Sequence, residues 1–481
     1  EYQQYVADPQ EDAVGFYGVV EESGNGAIFA LRMKIHRHHI VEAETMVARK
    51  RPNEEFPNPD GLKNKPVFDE ILPPEARKSR EQLATVANSY FETVQQNDGT
   101  VYVPLDKRCH RIENGVATTN NKEEAEGSGN SMPSKGCLEQ FQSGNFIFVT
   151  TIRARRFMVI DQERGLVLTS GFFDHAGGTR SVTLTTGKVQ KIGPPFDTPY
   201  SFMFFELFKV DAGKLRQVES VLEDVPYRMP TPWEHRSRIE HRELESHSSC
   251  DRACLDGFTD QYLAALKARD GGRLPWAQGA VFTENNVALR IGQGLWDTVD
   301  GIGRNGQHFA DVTAGQAGFL GTVQEDGQSF AFALRLRIDG GRIADAETLV
   351  ARNFQGPAPA APDPTFVARL PAEARSTRDK MTRIADAHYA TVAGDTTRVR
   401  NRRAPLVDEE LGVVWTAAFY DIAGTGRSAS TPKGATGPAG MTRPWTWQAV
   451  DLFKIANGKI SKTVEARLQA PYGSHDEWVD Q

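Results

Sequence analysis

Alternation of apolar and polar residues recurs over long stretches of the chain. In 29–35, "FALRMKI", and in 205–210, "FELFKV", the pattern places one set of side chains in a core and the other in solvent, as in antiparallel strands. Turns such as "DGG" and "DAGK" predict hairpins between such segments. The predicted strands are "GAIFALRMKI", "HIVEAETMVAR", "NFIFVTTIRARRFMVI", "GLVLTSGFFDH", "SFMFFELFKVD" and "KLRQVESVLED".

Two other segments carry a helical pattern. Apolar residues recur at spacings of three and four in 80–96, "REQLATVANSYFETVQQ", and in 254–270, "CLDGFTDQYLAALKARD". Each of these helices precedes a group of predicted strands. Helices followed by a meander of long strands predict an α+β module of about 110 to 150 residues.

The chain contains an internal repeat. Residues 15–49 align without a gap with residues 318–352, and about half of the positions are identical. Three further matches join 72–80 to 370–378, 155–177 to 402–424, and 207–217 to 452–462. A pair of modules, A followed by B, therefore occurs twice. A weaker match between 103–115 and 274–286 indicates that A and B share one fold.

The repeat predicts four modules and two linkers. Module A1 begins about 55 to 60 residues into the repeat unit, so its first helices are truncated or come from elsewhere. Module B2 lacks the segment equivalent to "RIENG" of B1. The predicted bounds are 1–56 for A1, 72–232 for B1 with an inserted loop at 120–136, 248–355 for A2 and 370–475 for B2, with linkers at 233–247 and 354–364.

This order of elements resembles the nuclear transport factor 2-like superfamily, in particular its SnoaL-like group. The patterns that carry the resemblance are "TENN...GQGLW" and "RIENG...RRF.VIDQERGLV..GFFDH", and they look most like those of secreted, uncharacterised fungal and bacterial members. The resemblance implies tandem cone-shaped α+β barrels, with helices packed on curved antiparallel sheets. Families of this kind include scytalone dehydratase, ketosteroid isomerase, limonene epoxide hydrolase and polyketide cyclases, alongside members that only bind or dimerise.

Composition and charge narrow the choice of partners. The 481 residues favour several domains, and 39% hydrophobic residues indicate globular cores. A net charge of −7 with interspersed signs provides no basic face, so we expect neither nucleic acid nor a membrane as a partner. We expect a small-molecule substrate and modules that pack on one another, and a homodimer remains open.

The four cysteines form two local pairs, Cys109 with Cys137 and Cys250 with Cys254. Neither pair has the spacing of a zinc ribbon or of a redox dithiol, so we predict two disulfides. The alternative is four buried free thiols. Disulfides would imply an oxidising compartment, and we therefore expect a secreted or periplasmic protein whose signal peptide is absent from this sequence.

Module B1 is richest in residues suited to general acid–base catalysis without a metal or another cofactor. The expected catalytic residues, which could converge at one mouth of the module, are Tyr90, Asp106, His110, Asp174 and His175. On this hypothesis a histidine removes a proton, an aspartate orients the imidazole, and the tyrosine donates to the leaving or enolising oxygen. The expected substrate contacts in B1 are Arg111, Glu113, Arg155 and Phe173.

Comparison with B2 gives these residues alternative interpretations. B2 has Ile422 in place of His175 and His388 in place of Tyr90, as a non-catalytic copy would. The B2 residues aligned with Asp174 and Arg155 are again an aspartate and an arginine, which favours structural roles for both. Glu113 and the asparagine after it recur as Glu284 and Asn285 in A2, which fits a turn. His110 is either a base specific to B1 or an exposed strand residue.

A second candidate pocket lies in A2, where an aromatic wall would suit a sugar or aryl ring. Its residues are Tyr262, Trp276, Glu284 and Trp296, although the tryptophans are equally compatible with a core. "HRHH" at 36–39 aligns with the turn "DGGR", so we predict no metal site there. Phosphate-binding glycine loops, GxSxG and HExxH are absent from the sequence.

These observations lead to one expected function and two alternatives. We expect a cofactor-independent lyase or isomerase, of dehydratase type, that acts on a small organic or carbohydrate-like substrate in the B1 pocket. The first alternative is a non-catalytic protein that captures a hydrophobic or glycan ligand. The second is a hydrolase that activates water with the same residues.

Overall fold

The structure is a computed structural model, and the chain forms two compact units, Glu1–Val225 and Pro226–Gln481. Both predicted linkers lie outside the described residues: the first from residue 234 onward, and the second, 354–364, entirely. The described residues are 2–22, 24–50, 56–63, 66–128, 130–233, 250–304, 306–352, 365–394, 397–423 and 444–478.

The first unit contains twelve strands and four α-helices among its described residues. Its strands are β1 (Gln3–Asp8), β2 (Ala13–Glu22), β3 (Asn25–His36), β4 (His39–Arg49), β5 (Leu105–Glu113), β6 (Val116–Ala117), β7 (Thr151–Asp161), β8 (Leu166–His175), β9 (Ser181–Thr183), β10 (Val189–Lys191), β11 (Tyr200–Asp211) and β12 (Lys214–Val225). Its helices are α1 (Pro66–Asp69), α2 (Arg80–Gln96), α3 (Lys122–Ser128) and α4 (Cys137–Gln142).

Two large sheets organise this unit. Sheet A1 is an antiparallel meander in the order β1-β2-β3-β4. Sheet B1 has the order β6-β5-β12-β11-β8-β7, and β9 pairs separately with β10. Strand β5 runs parallel to β12, so sheet B1 is mixed. The inserted loop 120–136, predicted without regular structure, contains α3 and a 3-10 turn at Met132–Ser134.

Sheet B1 is buried on both faces. Leu166, Leu168 and Phe205 face sheet A1 and share a core with Tyr17 and Ile28. The alternate residues of the same strands face helix α2 in a second core. That second core includes Val167, Phe204 and Phe208 of the sheet and Leu83, Tyr90, Phe91 and Val94 of the helix. The layers therefore run sheet A1, sheet B1, helix α2.

Helix α2 begins and ends where local chemistry dictates. The Ser79 hydroxyl accepts a hydrogen bond from the Gln82 amide, and the Gln82 side chain accepts one from the Ser79 amide, which forms a capping box. Asn97 ends the helix in the left-handed conformation, with φ of 47°. Apolar residues between these caps form the stripe that packs on sheet B1.

The second unit contains eleven strands and three α-helices among its described residues. Its strands are β13 (Trp276–Glu284), β14 (Val287–Leu289), β15 (Val299–Ile302), β16 (Gln307–Asp311), β17 (Gln316–Glu325), β18 (Gln328–Asp339), β19 (Arg342–Val350), β20 (Thr397–Asp408), β21 (Val413–Ile422), β22 (Trp445–Ala456) and β23 (Lys459–Ala470). Its helices are α5 (Arg252–Lys267), α6 (Leu295–Thr298) and α7 (Arg378–Val392).

This unit has four layers. Sheet A2 has the order β14-β13-β19-β18-β17-β15, with β16 also paired to β17, and sheet B2 has the order β20-β21-β22-β23. The two sheets share a core that includes Phe309, Leu320 and Trp415. Helix α5 packs on the other face of sheet A2, and helix α7 packs on the other face of sheet B2.

The expected fold class is wrong. Strands hold 48% of the described residues and helices 20%, so the molecule is mostly β and not an α+β array of barrels. None of the described sheets closes into a barrel; sheet B1, for example, ends in edge strands β6 and β7. The physical reason lies in strands such as β8, which is buried along its whole length. Such strands require cover on both faces, and a second sheet supplies it on one of them.

Irregularities recur at equivalent points of the four large sheets. In each sheet, the last two long strands form a hairpin, and each hairpin has a register shift at the same place. The shift follows Lys34 in sheet A1, Lys209 in B1, Arg337 in A2 and Lys454 in B2. The shift fixes which strand positions are equivalent. The bounds of the four modules, in contrast, stay predictions.

Candidate functional site

Strand β5 presents two predicted site residues to opposite sides of sheet B1. Arg111 lies on the same side as Cys109, which belongs to the core under α2, and is only 6% exposed. Successive side chains of a strand alternate, so His110 faces the other way, and it is exposed. The structure therefore brings Arg111, and not His110, to the interior of the module.

The Arg111 guanidinium is held by three side chains. Its Nε donates to the Tyr90 hydroxyl at 3.2 Å, and its Nη1 donates to Gln140 Oε1 at 2.9 Å. Its Nη2 donates to Glu113 Oε1. The rings of Tyr90, Phe141 and Phe146 lie 5.0 to 5.9 Å from the guanidinium carbon. Burial opposes the charge, but Tyr90 and Glu113 raise the pKa of Arg111 above its ordinary value.

Glu206 on β11 is the second ionisable group in this interior, and it was not among the residues predicted from the sequence. Its side chain is 1% exposed, and its Oε1 accepts a hydrogen bond from the Ser220 hydroxyl at 2.6 Å. Among the described residues, its Oε2 has no hydrogen-bond partner. Burial raises the pKa of Glu206 to about 8; the Ser220 hydrogen bond opposes the rise and the charge of Glu113 adds to it.

Tyr90, Arg111 and Glu113 are joined by hydrogen bonds, and Glu206 interacts electrostatically with all three, so we call these four residues the B1 cluster. Burial raises the pKa of Tyr90, and the Arg111 charge opposes that rise. The phenol therefore stays protonated at neutral pH. Glu113 is the most accessible member, with 26% of its side chain exposed, so the cluster reaches solvent at Glu113. A carboxyl with a near-neutral pKa beside a phenol and a guanidinium can exchange protons and stabilise an oxyanion.

His175 lies in a separate aromatic cluster. Its ring stacks on Tyr200 at 4.4 Å with planes 3° apart, and the rings of Phe148, Phe196 and Phe202 lie within 6.0 Å. Burial lowers the pKa of His175 to about 3, so the imidazole is neutral. Among the described residues its Nδ1 has no hydrogen-bond partner. Neither predicted histidine belongs to the B1 cluster.

The predicted aspartates bind arginines. Asp174 accepts hydrogen bonds from Arg153 Nε at 2.8 Å and from the Ser201 hydroxyl at 2.6 Å. In module B2, Asp421 accepts from Arg400 and Thr446 in the same way, at 2.7 and 2.6 Å, which shows that this contact belongs to the scaffold. Asp106 pairs with Arg108, whose hydrogen bonds lower the pKa of Asp106 to about 2.

Two predicted substrate contacts also hold the fold together. Arg155 donates to Asn88 Oδ1 at 3.1 Å and to Gln95 Oε1 at 3.0 Å, which ties strand β7 to helix α2. Phe173 stacks on Phe204 at 4.4 Å inside the core. Both side chains are occupied by these contacts.

The structure does bring the predicted A2 residues together. Tyr262 and Trp296 are buried with ring centroids 5.1 Å apart. Glu284 accepts hydrogen bonds from Arg352 Nη1 and from the Leu295 amide, both at 2.7 Å. Burial raises the pKa of Glu284, and Arg352 opposes that rise. Tyr262 and Trp296 form part of the core under α5.

Both predicted disulfides are confirmed. Cys109–Cys137 joins strand β5 to the start of helix α4, and Cys250–Cys254 closes a short loop at the start of helix α5. The first bond fixes the strand that carries Arg111 to the helix that carries Gln140. It therefore holds together two of the elements that build the B1 cluster.

His110 borders an open depression of about 420 Å³ on the outer side of β5. Polar residues dominate its lining, and the Asn120 amide approaches the His110 ring at 3.4 Å. The lining residues are His110, Ile112, Ala117, Thr119, Asn120, Asn121 and Gln217.

Module B2 carries an acid at the position of Glu206. The shared register shift makes Asp451 the equivalent of Glu206, whereas sheet A2 has Leu334 and sheet A1 has Leu31 there. The sequence did contain a signal for this acid: it lies at a core-facing position of an apolar strand in both modules. It stands between "FMFF" and "LFK" in B1 and between "TWQAV" and "LFK" in B2. Only the repeat distinguishes it from a solvent-facing strand residue.

Two stretches of the chain match one family model, described as "Domain of unknown function (DUF8021)". They are residues 76–222 and 391–467, one in each predicted B module. The B1 cluster and Asp451 lie inside these stretches. No curated protein matches the chain.

A solved structure titled "Crystal structure of a de novo designed protein with curved beta-sheet" covers 22% of this chain and 91% of its own, at 16% identity and a TM-score of 0.18. A likeness this weak carries no argument about this chain. No helix in the described part of the chain has the length and apolar character of a membrane span. The resemblance to the nuclear transport factor 2-like superfamily stays a prediction.

Proposed function

We propose that the B1 cluster is the acid–base centre of a cofactor-independent lyase or isomerase that acts on a small organic or carbohydrate-like substrate. The observation that carries the proposal is the fully buried Glu206 carboxyl, whose burial raises its pKa to about 8 and whose Oε2 has no hydrogen-bond partner among the described residues. Protein sites of proton transfer use carboxyls tuned in this way.

The cluster divides the roles among its members. Ionised Glu206 accepts a proton from a substrate carbon, and the protonated carboxyl returns that proton to a second carbon or to a leaving oxygen. Arg111 and the Tyr90 hydroxyl stabilise the negative charge that develops on the substrate oxygen. These roles replace those expected for His110 and His175, which lie elsewhere.

A solvent-isotope experiment tests this function without knowledge of the substrate. Panels of aryl ethers, polyketide-like ketones and sugars are incubated with the full chain in D₂O, and both turnover and deuterium incorporation at carbon are measured by mass spectrometry. We expect incorporation by the wild type and loss by at least 100-fold in Glu206→Gln. Asp451→Asn, the same change in B2, is the matched control and should retain activity. Equal rates for wild type and Glu206→Gln would exclude the role of Glu206.

A second candidate function is non-catalytic binding of a polar ligand such as a glycan. The depression beside His110 supports it, because its amide and hydroxyl groups suit sugar hydroxyls. Glycan-array binding that Asn121→Leu weakens and Glu206→Gln leaves unchanged would favour this function over catalysis.

The two disulfides support an oxidising compartment, so we further propose that the protein is secreted or periplasmic. Thiol labelling of the protein isolated from its native source tests this directly. Unlabelled cysteines before reduction and four labelled cysteines after it are expected.

A further inference from the structure

The outer face of sheet A1, on the side away from sheet B1, is apolar. Strand alternation divides the sheet: Tyr17, Ile28 and Met46 point into the shared core. The alternate side chains point outward, and none of the buried clusters formed by the described residues includes them. Those only partly buried are Val14, Phe16, Val20, Phe29, Leu31, Met33 and Val47. Tyr5, beside Phe16, is 60% exposed.

The equivalent face of sheet A2 is fully covered by a helix. Its residues share one buried cluster with the apolar stripe of α5, which is formed by Leu255, Phe258, Tyr262 and Leu266. Five positions are identical in the two faces, and Met33 replaces Leu336. The identical pairs are Phe16 and Phe319, Val20 and Val323, Phe29 and Phe332, Leu31 and Leu334, and Val47 and Val350.

Sheets A1 and A2 also make equivalent contacts with the B module of their own unit. In the first unit Asp8 accepts hydrogen bonds from Arg80 at the start of α2 and from the Ile160 amide of β7. In the second unit Asp311 accepts from Arg378 at the start of α7 and from the Val407 amide of β20. The outer face of sheet A1 therefore corresponds in position, as well as in sequence, to the face that α5 covers.

We propose that the outer face of sheet A1 binds an amphipathic helix whose apolar residues are spaced like those of α5. Recognition rests on the apolar stripe, because the aspartate equivalent to the ionic partner of α5 is already paired within the first unit. Arg252 of α5 pairs with Asp408 at 2.5 Å, whereas the equivalent Asp161 pairs with Arg164 at 2.8 Å. A continuous apolar face of this kind is typical of helix-in-groove and helix-on-sheet recognition.

Methionine methyl resonances test this binding, because sheet A1 carries one methionine on each face. The full chain with ¹³C-labelled methionine methyl groups is titrated with an oxidised peptide of residues 250–270, which contains α5. We expect a saturable shift of the outward-facing Met33 resonance and an unchanged resonance of the buried Met46. The same peptide with Phe258→Asp is the control and should shift neither.

Variants of the full chain show whether the peptide binds at this face and whether a second copy of the chain occupies it instead. Leu31→Asp on the outer face should weaken peptide binding at least 10-fold, while Ile71→Asp, at an apolar position that is 65% exposed elsewhere in the unit, should not. An unmoved Met33 resonance at millimolar peptide would overturn the proposal. So would sedimentation of the wild type as a dimer that Leu31→Asp converts to a monomer, because a second copy would then occupy the face.

Discussion

The interiors of modules B1 and B2 hold an acid at the same strand position but give it different partners. Glu206 of B1 lies in a cluster with Arg111, and one of its oxygens has no hydrogen-bond partner among the described residues. Asp451 of B2 accepts hydrogen bonds from the Tyr389 and Tyr420 hydroxyls, at 2.9 and 2.7 Å. At the same scaffold position, B1 therefore has a carboxyl with one oxygen unpartnered among the described residues, and B2 has a carboxyl that two tyrosines bind.

The difference follows from the segment that B1 has and B2 lacks. Strand β5 and helix α4 supply Arg111, Glu113 and Gln140, and sheet B2 has no counterpart of β5 among its four described strands. In B2 two tyrosines bind the acid instead. One of them, Tyr420, lies at the position where B1 has Phe173, which carries no hydroxyl. The extra segment of B1 therefore determines which side chains surround the acid, while the repeated sheet determines where the acid lies.

Removal of the cation should have the largest effect. Arg111→Met removes the buried cation that donates to Tyr90, Glu113 and Gln140, so we expect unit 1 to lose about 3 to 5 kcal/mol of unfolding free energy. Hydrogen exchange of β11 and β12 in increasing urea measures this. All seven tryptophans lie at or after Trp233, so tryptophan fluorescence reports unit 2 and should not change. Arg108→Met, in an exposed pair, should cost under about 1 kcal/mol. Equal losses in the two variants would show that burial of the Arg111 pair adds nothing.

Glu206 should make the stability of unit 1 depend on pH. In the folded protein the pKa of Glu206 is raised from 4.5 to about 8. The stability that its protonated carboxyl contributes is therefore fully present below pH 4.5 and is lost as the pH rises through 8. Glu206→Gln removes this dependence. Between pH 4.5 and pH 9 the variant should gain on the order of 4 kcal/mol relative to wild type in the same exchange measurement. A constant difference across that range would refute the raised pKa.

The two disulfides should differ in how much they stabilise the protein. Cys109–Cys137 spans 28 residues and Cys250–Cys254 spans 4, so the chain-entropy estimate gives about 3.5 and about 2 kcal/mol. Serine replacement of the first pair should destabilise unit 1 and also release β5 from α4. Replacement of the second pair should affect unit 2 alone, as followed by tryptophan fluorescence. A larger loss for the second pair would contradict this order.

The smallest effect is expected at His110. Because His110 is exposed on the outer side of β5, His110→Ala should change the unfolding free energy by less than about 0.5 kcal/mol and leave deuterium incorporation at the wild-type rate. Loss of activity in this variant would move the site from the B1 cluster to the depression beside His110.

The sequence predicted the repeat, both disulfides and most long strands, because these depend on local pattern and on pairwise identity. It did not predict that sheets would cover sheets. In "GLVLTSGFFDH" both faces carry apolar or small residues, and such a run is compatible with cover by helices or by another sheet. Only the three-dimensional arrangement decides between them.

The site was partly predictable. Tyr90, Arg111 and Glu113 were candidates from the sequence, and the structure brings them together. The histidines were favoured because imidazole titrates near neutral pH, yet burial makes His175 neutral and strand alternation turns His110 outward. Glu206 was missed because its pKa depends on burial, which alternation alone does not reveal.

The titration of Glu206 itself shows whether burial tunes its carboxyl for proton transfer. The side-chain carboxyl carbon of ¹³C-labelled glutamate is followed by NMR in the full chain between pH 3 and pH 10, with Glu206→Gln used to assign the resonance. We expect a midpoint near pH 8, because burial raises the pKa of the carboxyl and the charge of Glu113 adds to that rise, while Ser220 and Arg111 oppose it. A midpoint near 4.5, the ordinary value of a glutamate, would contradict it.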